Sequence, residues 1–185
     1  RKFVSDYIDL PKELTIEKIA EDMTSIGNEY DFAGKLINCT NLTTGKVIEC
    51  TDHPNSDHLH VCKVDIGTEV LNIVCGAPNV RTGLKVIVAL PGAKLPGGEI
   101  KNGVIRGIES NGMLCSLLEL GVDAKSLTDY QKAGIEELAD DAVVGNKDVL
   151  GYLGLDDVIL DVGLTPNRND CMAAWSMALE TGAIL

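Results

Sequence analysis

The sequences HPNSD (residues 53–57), VCGAPNV (74–80), LPGAKLPGG (90–98) and RGIESNGMLCS (106–116) follow one another in this order along the chain. Each is a turn rich in glycine, proline, asparagine or serine, and short runs rich in β-branched residues separate the turns. Four such runs are Lys46–Cys50, Leu59–Ile66, Val70–Cys75 and Lys85–Leu90. Short strands broken by turn residues, without helical periodicity, predict a small antiparallel barrel.

The residues before this region predict one helix. Thr15 is a suitable N-cap and Gly27 a suitable C-terminal stop, so the helix is expected over 15–26. Its apolar residues recur at helical spacing: Ile16, Ile19, Ala20, Met23 and Ile26. We expect this face to pack against a strand at Val158–Val162, and residues 28–39 to form a strand and an exit loop.

The residues after the barrel region are of mixed character. Gly121 and Gly134 limit any helix in residues 117–141 to short pieces. Residues 165–169 are typical of a turn, and Asp170 is expected to cap a terminal helix that contains Trp175, Met177 and Leu179.

The four turns together resemble the OB-fold tRNA-binding domain shared by bacterial phenylalanyl-tRNA synthetase beta subunits, stand-alone tRNA-binding proteins and some synthetase cofactors. The sequences YIDL (7–10) and LTPNRNDC (164–171) resemble the beta subunit in particular, and the likeness covers nearly all 185 residues. It implies an α+β fold with an inserted β-barrel. The resemblance implies that the barrel is a five-stranded Greek-key OB-fold at residues 40–150. It also implies that residues 1–39 and 151–185 form a small split α+β domain, whose C-terminal end is expected to be incomplete.

The same resemblance implies an accessory tRNA-binding and subunit-assembly role, which supports phenylalanylation of tRNA without carrying the active site. The expected partners are tRNA and the synthetase alpha subunit, in a cytoplasmic heterotetramer. The holoenzyme would use ATP and Mg²⁺, whereas no cofactor is expected in this chain. Two alternatives stay open, which are a purely structural OB-fold module and a stand-alone tRNA-binding protein.

The resemblance also implies which side chains contact tRNA. They belong to a basic stretch and to the motif around the last barrel strand: Asn79, Lys85, Lys94, Lys101, Arg106, Ser110, Asn111, Met113 and Ser116. For Met113, a position in the barrel core is the alternative interpretation.

The distribution of charge restricts the kind of nucleic-acid contact. The net charge of −12 argues against a general nucleic-acid binder, because phosphate neutralisation supplies most non-specific affinity. Residues 81–106 contain five basic side chains and one acid, whereas residues 136–161 contain eight acids and one lysine. No Phe, Tyr or Trp lies between Ala33 and Asp129. We therefore expect recognition of RNA backbone and shape rather than base stacking on aromatic rings.

Catalytic and metal sites are not expected. The six cysteines form no CxxC pair, and we expect them to be reduced and largely buried. His58, His60 and Cys62 alternate along one strand with His53 nearby, but structural zinc usually needs four ligands from paired turns. Cys75 and Cys115 lie in apolar surroundings that do not favour a reactive thiolate. No phosphate-binding glycine loop, secretory signal or run of about 18 apolar residues is present in the sequence.

Overall fold

The computed structural model describes residues 2–185, apart from the side chain of Phe3. The chain divides into two compact units, one formed by the residues up to Leu36 together with Leu155–Leu185, and the other by Ile37–Gly154. We call them the split unit and the barrel unit. Within residues 2–185, no helix has both the length and the apolar character needed to cross a membrane.

The secondary structure consists of short elements. The helices are α1 (Lys2–Ser5), α2 (Ile16–Ser25), α3 (Leu117–Leu120), α4 (Asp129–Ala133), α5 (Val149–Tyr152) and α6 (Ala174–Ala183), with 3₁₀ helices at Ala124–Ser126 and Pro166–Met172. The strands are β1 (Glu29–Lys35), β2 (Leu42–Asp52), β3 (His60–Asp65), β4 (Val70–Cys75), β5 (Lys85–Ala89), β6 (Lys94–Leu95), β7 (Gly98–Glu99), β8 (Gly103–Ile105), β9 (Ile108–Ser110), β10 (Met113–Cys115), β11 (Glu137–Leu138) and β12 (Val158–Gly163).

The main sheet of the barrel unit is antiparallel, with the strand order β10–β5–β2–β3–β4 and with β11 also paired to β5. Strand β2 is long enough to serve two neighbours, since its first half pairs with β5 and its second half with β3. A bulge between Val47 and Glu49 separates the two halves. Bulges bend strands and increase their twist, so β2 is the strand about which the sheet coils.

Close packing at the bend of β2 requires a glycine. A Cβ atom at Gly45 would lie 2.7 Å from Val64 Cγ1 and 2.9 Å from Val88 Cγ2. Alternate residues of the surrounding strands point into one apolar core, which includes Val47, Val64, Ile73, Val86 and Val88. This period-2 pattern explains why the β-branched runs of the sequence form strands rather than helices.

The sheet curls so that its two edge strands, β10 and β4, approach each other. Strand β10 pairs with β5, and immediately before β10 the Asn111 N–H donates to the Asn72 carbonyl of β4, 2.8 Å away. The Ser110 hydroxyl accepts a hydrogen bond from Val74 N–H at 3.1 Å. These bonds make the sheet a curled half-barrel.

The split unit has its own core. Strands β1 and β12 form an antiparallel pair, and Ile16, Ile19 and Met23 of α2 pack against the inward residues Val158 and Leu160. The predicted cap of α2 is confirmed, because Thr15 Oγ1 accepts from Lys18 N–H at 3.2 Å. Gly27 follows the helix with φ of 93°, the left-handed conformation in which glycine carries no steric penalty.

Two local predictions for this unit are wrong. Ile26 was expected on the buried face of α2, but it lies just after the last helical residue and is 39% exposed. Asp170 was expected to cap the terminal helix, but α6 begins at Ala174 and has no side-chain cap. The reason is that Pro166–Met172 forms a 3₁₀ helix, in which the Asp170 carboxylate pairs with Arg168.

The strands predicted for the barrel are confirmed, with small shifts of their ends. Val70–Cys75 is β4 without change, and Lys85–Leu90 ends one residue earlier as β5. The run Lys46–Cys50 is the middle of the much longer β2. The proline- and glycine-rich loop of residues 90–98 contains part of an unpredicted short hairpin formed by β6 and β7.

Candidate nucleic-acid interface

A groove of about 590 Å³ lies in the barrel unit beside β10, an edge strand of the main sheet. Residues 74–77, at the end of β4, form one wall, and the β8–β9 hairpin with β10 forms a second. Residues 132–135, at the end of α4, complete it. This volume is in the range of clefts that bind small ligands or single groups of larger ones.

Basic and acidic side chains both line the groove. Lys101 and Lys132 line it together with Glu99 and Glu119. Lys94 lies opposite Glu99 in the β6–β7 hairpin and is exposed. In the part of the chain that the structure describes, the ammonium groups of Lys94 and Lys101 enter no ion pair. They are therefore available to an external phosphate.

Two other predicted contact residues have internal partners. The Lys85 ammonium donates to the backbone carbonyls of Asp140 and Ala142, the latter at 2.8 Å. The Asn79 amide donates to Ile135 O at 2.9 Å and accepts from Ile135 N–H at 3.0 Å. A Cβ atom at Gly134 would lie 2.1 Å from Asn79 Oδ1, so glycine is required where this amide approaches the backbone. Both side chains hold the segment after α4 against the sheet.

Arg106 lies at the tip of the β8–β9 hairpin, where it has φ of 48° and Gly107 has φ of 91°. Positive φ at both central residues is typical of a type I′ hairpin turn. The Arg106 guanidinium donates to Asn55 O at 2.9 Å, and Asn55 Nδ2 donates back to Arg106 O at 3.4 Å. The guanidinium is exposed but is held by this contact rather than free.

Four of the predicted tRNA-contact residues lie in or next to β10, and they differ in burial and in their hydrogen-bond partners. Ser110 is buried, and its hydroxyl donates to Gly112 O while it accepts from β4. Ser116 caps α3 in a capping box with Glu119. Asn111 is half-buried. Met113 is half-buried and lines the groove, as do Ser110 and Ser116.

The structure thus brings Lys101, Ser110, Met113 and Ser116 to one groove, with Lys94 at its edge. Lys132 lies at the same groove and was missed by the sequence analysis. The available signal was the capping-box pattern of Thr128 and Gln131, which marks the start of α4. That pattern could not show which wall the helix forms.

The thiols considered as nucleophiles are protonated at neutral pH. Burial raises the pKa of the Cys115 thiol to about 12 and also raises the pKa of Cys75. A thiol of this kind is a poor nucleophile, because the thiolate is the reactive form.

The histidine and cysteine residues near His53 do not form a metal-ligand cluster in the structure. Within residues 2–185, the side chains close enough to share an ion are instead Asp170, Cys171 and Glu180 of the split unit. The Arg168 guanidinium already lies among them, 2.8 Å from both Glu180 Oε1 and Cys171 Sγ. Arg168 pairs with both acids, so its positive charge offsets part of their negative charge.

The barrel unit is thus a curled half-barrel with a groove that two lysines and two glutamates line. Residues 42–147, more than half of the chain, match the family model described as "Putative tRNA binding domain", and the chain belongs to this family. The matched residues lie within the barrel unit.

Curated relatives extend the similarity beyond the barrel. The phenylalanine--tRNA ligase beta subunit of Streptococcus pneumoniae is 42% identical over 185 residues, which are 99% of this chain and 23% of the relative. That of Bacillus subtilis is 46% identical, with 100% and 23% covered. That of Vibrio parahaemolyticus is 47% identical, with 92% and 21% covered. The chain therefore spans 21–23% of the length of these relatives.

Among solved structures, the crystal structure of a MetRS related protein from Pyrococcus horikoshii is similar with a TM-score of 0.42 and 22% identity. The match covers 56% of this chain and 84% of that one.

Proposed function

We propose that this chain is an accessory tRNA-binding and subunit-assembly region of a phenylalanine--tRNA ligase beta chain, and that the catalytic site lies elsewhere in the assembly. The observation that carries this proposal is the coincidence of three features in residues 42–147. These residues match the tRNA-binding family, they lie within the half-barrel, and they contain the groove with its lysines.

We also propose that the half-barrel is a five-stranded Greek-key OB-fold, inserted at about residues 40–150 into a split α+β domain of residues 1–39 and 151–185. Support comes from the division into two units, one of which is built from both ends of the chain. Strand β1, which precedes the barrel unit in sequence, also pairs with β12, which follows it, and this pairing supports an insertion.

Binding would rest on phosphate contacts at the groove. Lys94 and Lys101 supply positive charge, and Arg106 supplies a fixed guanidinium on the neighbouring hairpin. Lys132 also lies at the groove, but its ammonium pairs with Asp129 at 3.5 Å. Glu99 and Glu119 line the same groove, so the local excess of positive charge is small. With a chain charge of −12, we expect weak, salt-sensitive binding that favours folded tRNA of matching shape.

We further propose the partners and cofactors that the family resemblance implies. The synthetase alpha subunit would be the protein partner, in a cytoplasmic heterotetramer. ATP and Mg²⁺ would be used by parts of the holoenzyme outside this chain. Accordingly, the isolated chain is expected to leave ATP–pyrophosphate exchange with phenylalanine at the level of buffer.

The test is a filter-binding titration of labelled tRNA at several salt concentrations. Each lysine that contacts a phosphate contributes about one unit to the slope of log K against log salt. Replacing both lysines, Lys94→Ala/Lys101→Ala, should therefore reduce the slope by about two and weaken binding most at low salt.

Lys63→Ala is the matched control. Lys63 is also an exposed lysine of the barrel unit, but its ammonium is paired with Glu49 at 2.7 Å. Its replacement should leave the slope unchanged. Equal binding by the double variant and the wild type, or no tRNA binding by the wild type at low salt, would favour a purely structural barrel.

A further inference from the structure

Three side chains converge on the Glu137 carboxylate at the surface of the barrel unit. Arg81 donates two hydrogen bonds to it, Nη1 to Oε1 at 2.9 Å and Nη2 to Oε2 at 2.8 Å. The Tyr130 hydroxyl also donates to Oε1. The Asn79 amide donates to the same oxygen at 3.1 Å and fixes the backbone at Ile135. The carboxylate therefore holds a guanidinium and an aromatic ring in fixed positions.

These two held groups are nevertheless open to solvent. Tyr130 is 62% exposed and the Arg81 side chain 59% exposed. A free surface tyrosine or arginine loses rotamer entropy when it orders against a ligand. Here the hydrogen bonds to Glu137 order both side chains beforehand, so a ligand that binds to them meets a smaller entropic cost.

The charge of this cluster favours an uncharged ligand surface. The guanidinium of Arg81 and the carboxylate of Glu137 cancel, so the cluster does not attract a phosphate strongly. An aromatic ring beside a guanidinium is a surface on which nucleobases stack. Tyr130 belongs to α4, and the last residues of that helix, Lys132 and Ala133, line the groove.

We propose that Tyr130 and Arg81 form a stacking platform for one unpaired nucleobase of the RNA whose backbone lies in the groove. This inference rests on the proposed tRNA binding and specifies a second kind of contact for it. It revises the expectation of recognition without stacking. The stretch without aromatic residues, between Ala33 and Asp129, ends directly before Tyr130.

The experiment compares tRNA binding by the 185-residue chain and its variants over a range of salt concentrations. Stacking of a base on an aromatic ring is largely insensitive to salt, so Tyr130→Ala should weaken binding about 5- to 100-fold at every salt concentration without changing the slope. Tyr130→Phe keeps the ring and loses only the ordering hydrogen bond to Glu137, so it should bind more weakly than the wild type by no more than about threefold. Tyr130→Leu keeps apolar bulk without the π-face and should behave like Tyr130→Ala.

Tyr152→Ala is the control, because the Tyr152 hydroxyl is likewise bound to a carboxylate of the barrel unit, that of Asp141 at 2.8 Å. It should bind tRNA like the wild type. A second measurement uses a short unstructured RNA with 2-aminopurine in place of one adenine, since stacking quenches its fluorescence. Saturating wild type and Tyr130→Phe should quench it, and saturating Tyr130→Ala should not.

The possible outcomes separate the two proposals. A wild type that binds no tRNA overturns both. Binding that falls on replacement of Lys94 and Lys101, but not on replacement of Tyr130, overturns the platform and leaves the proposed function in place. It would then favour a protein partner for this surface. Equal quenching by Tyr130→Ala and wild type also overturns the platform.

Discussion

The buried ring of His53 donates a hydrogen bond from Nε2 to the carbonyl oxygen of Ile105, 3.2 Å away. Its other nitrogen, Nδ1, accepts from Asn55 N–H at 3.1 Å, which assigns the proton to Nε2 in the neutral ring. The turn after β2 is thereby tied to the β8–β9 hairpin, which carries Arg106 and forms one wall of the groove. One histidine therefore positions part of the proposed RNA surface without facing the RNA.

His53→Ala should destabilise the protein by about 1–3 kcal/mol, because it removes a buried ring together with both of its hydrogen bonds. His58→Ala is the control, since the His58 side chain is 64% exposed and its replacement should cost less than about 0.5 kcal/mol. Urea denaturation gives both values. Equal midpoints for the two variants would mean that the His53 contact does not stabilise the hairpin.

The Glu137 cluster predicts a dependence of stability on pH. The hydrogen bonds from Arg81 and then Tyr130 hold the pKa of Glu137 at about 2, below its usual 4.5. A lowered pKa in the folded state means that the stabilisation is fully present above about pH 4.5 and is lost as the pH falls through about 2. Because Arg81 is exposed, the contribution should be about 1 kcal/mol or less.

Glu137→Gln keeps an acceptor oxygen but does not titrate. Its stability relative to the wild type should therefore be lower at pH 7 and should approach the wild-type value as the pH falls from 4.5 towards 2. Denaturation midpoints at pH 7, 4 and 2.5 measure this convergence. A constant difference across these pH values would contradict the assignment of the lowered pKa to the folded protein.

The core of the split unit gives a direct test of burial. Met23 is fully buried, so Met23→Ala should cost about 2–5 kcal/mol through lost burial and the cavity that remains. Ile26→Ala removes a similar apolar side chain three residues away, but Ile26 is 39% exposed and its replacement should cost about 1 kcal/mol or less. Thermal unfolding of the two variants compares them. Equal losses would place Ile26 in the core.

The sequence predicts the strands and α2 well because local patterns determine them. The β-branched runs of β3, β4 and β5 alternate into one core, and Thr15 and Gly27 delimit α2 by their own chemistry. These signals lie within a few residues of the structure that they specify. Asp170 does not follow such a local pattern. It lies in the 3₁₀ helix that begins at Pro166, and its carboxylate pairs with Arg168 instead of capping α6.

Much of the candidate site depends on contacts that are distant in sequence. The partners of Lys85 are backbone carbonyls 55 and 57 residues away, and those of Asn79 lie 56 and 58 residues away. No residue pattern indicates that these two polar side chains turn inward while Lys94 and Lys101 stay exposed. Tyr130 was missed for the same reason, because its exposure and its anchor at Glu137 depend on how α4 packs near β11.

The two segments of the split unit are joined by hydrogen bonds close to Leu36 and Leu155, the residues that flank the barrel unit in sequence. Lys35 of β1 is paired with Val158 of β12, and the next residue, Leu36, donates its N–H to Asp157 O at 2.8 Å. A connection between Leu36 and Leu155 therefore needs only a short linker. Closing a short loop in place of a long one carries little entropic cost.

Replacing residues 37–154 by a short Gly/Ser linker should leave a folded protein. The α2 core of Ile16, Ile19 and Met23 packs against β12 residues that remain in the shortened chain. We expect helical circular dichroism and a cooperative thermal transition, and Met23→Ala should lower its midpoint. Residues 37–154 expressed alone should also fold, because their core cluster lies within that range. A disordered shortened chain beside a folded isolated barrel would show that the split unit depends on the barrel for its stability.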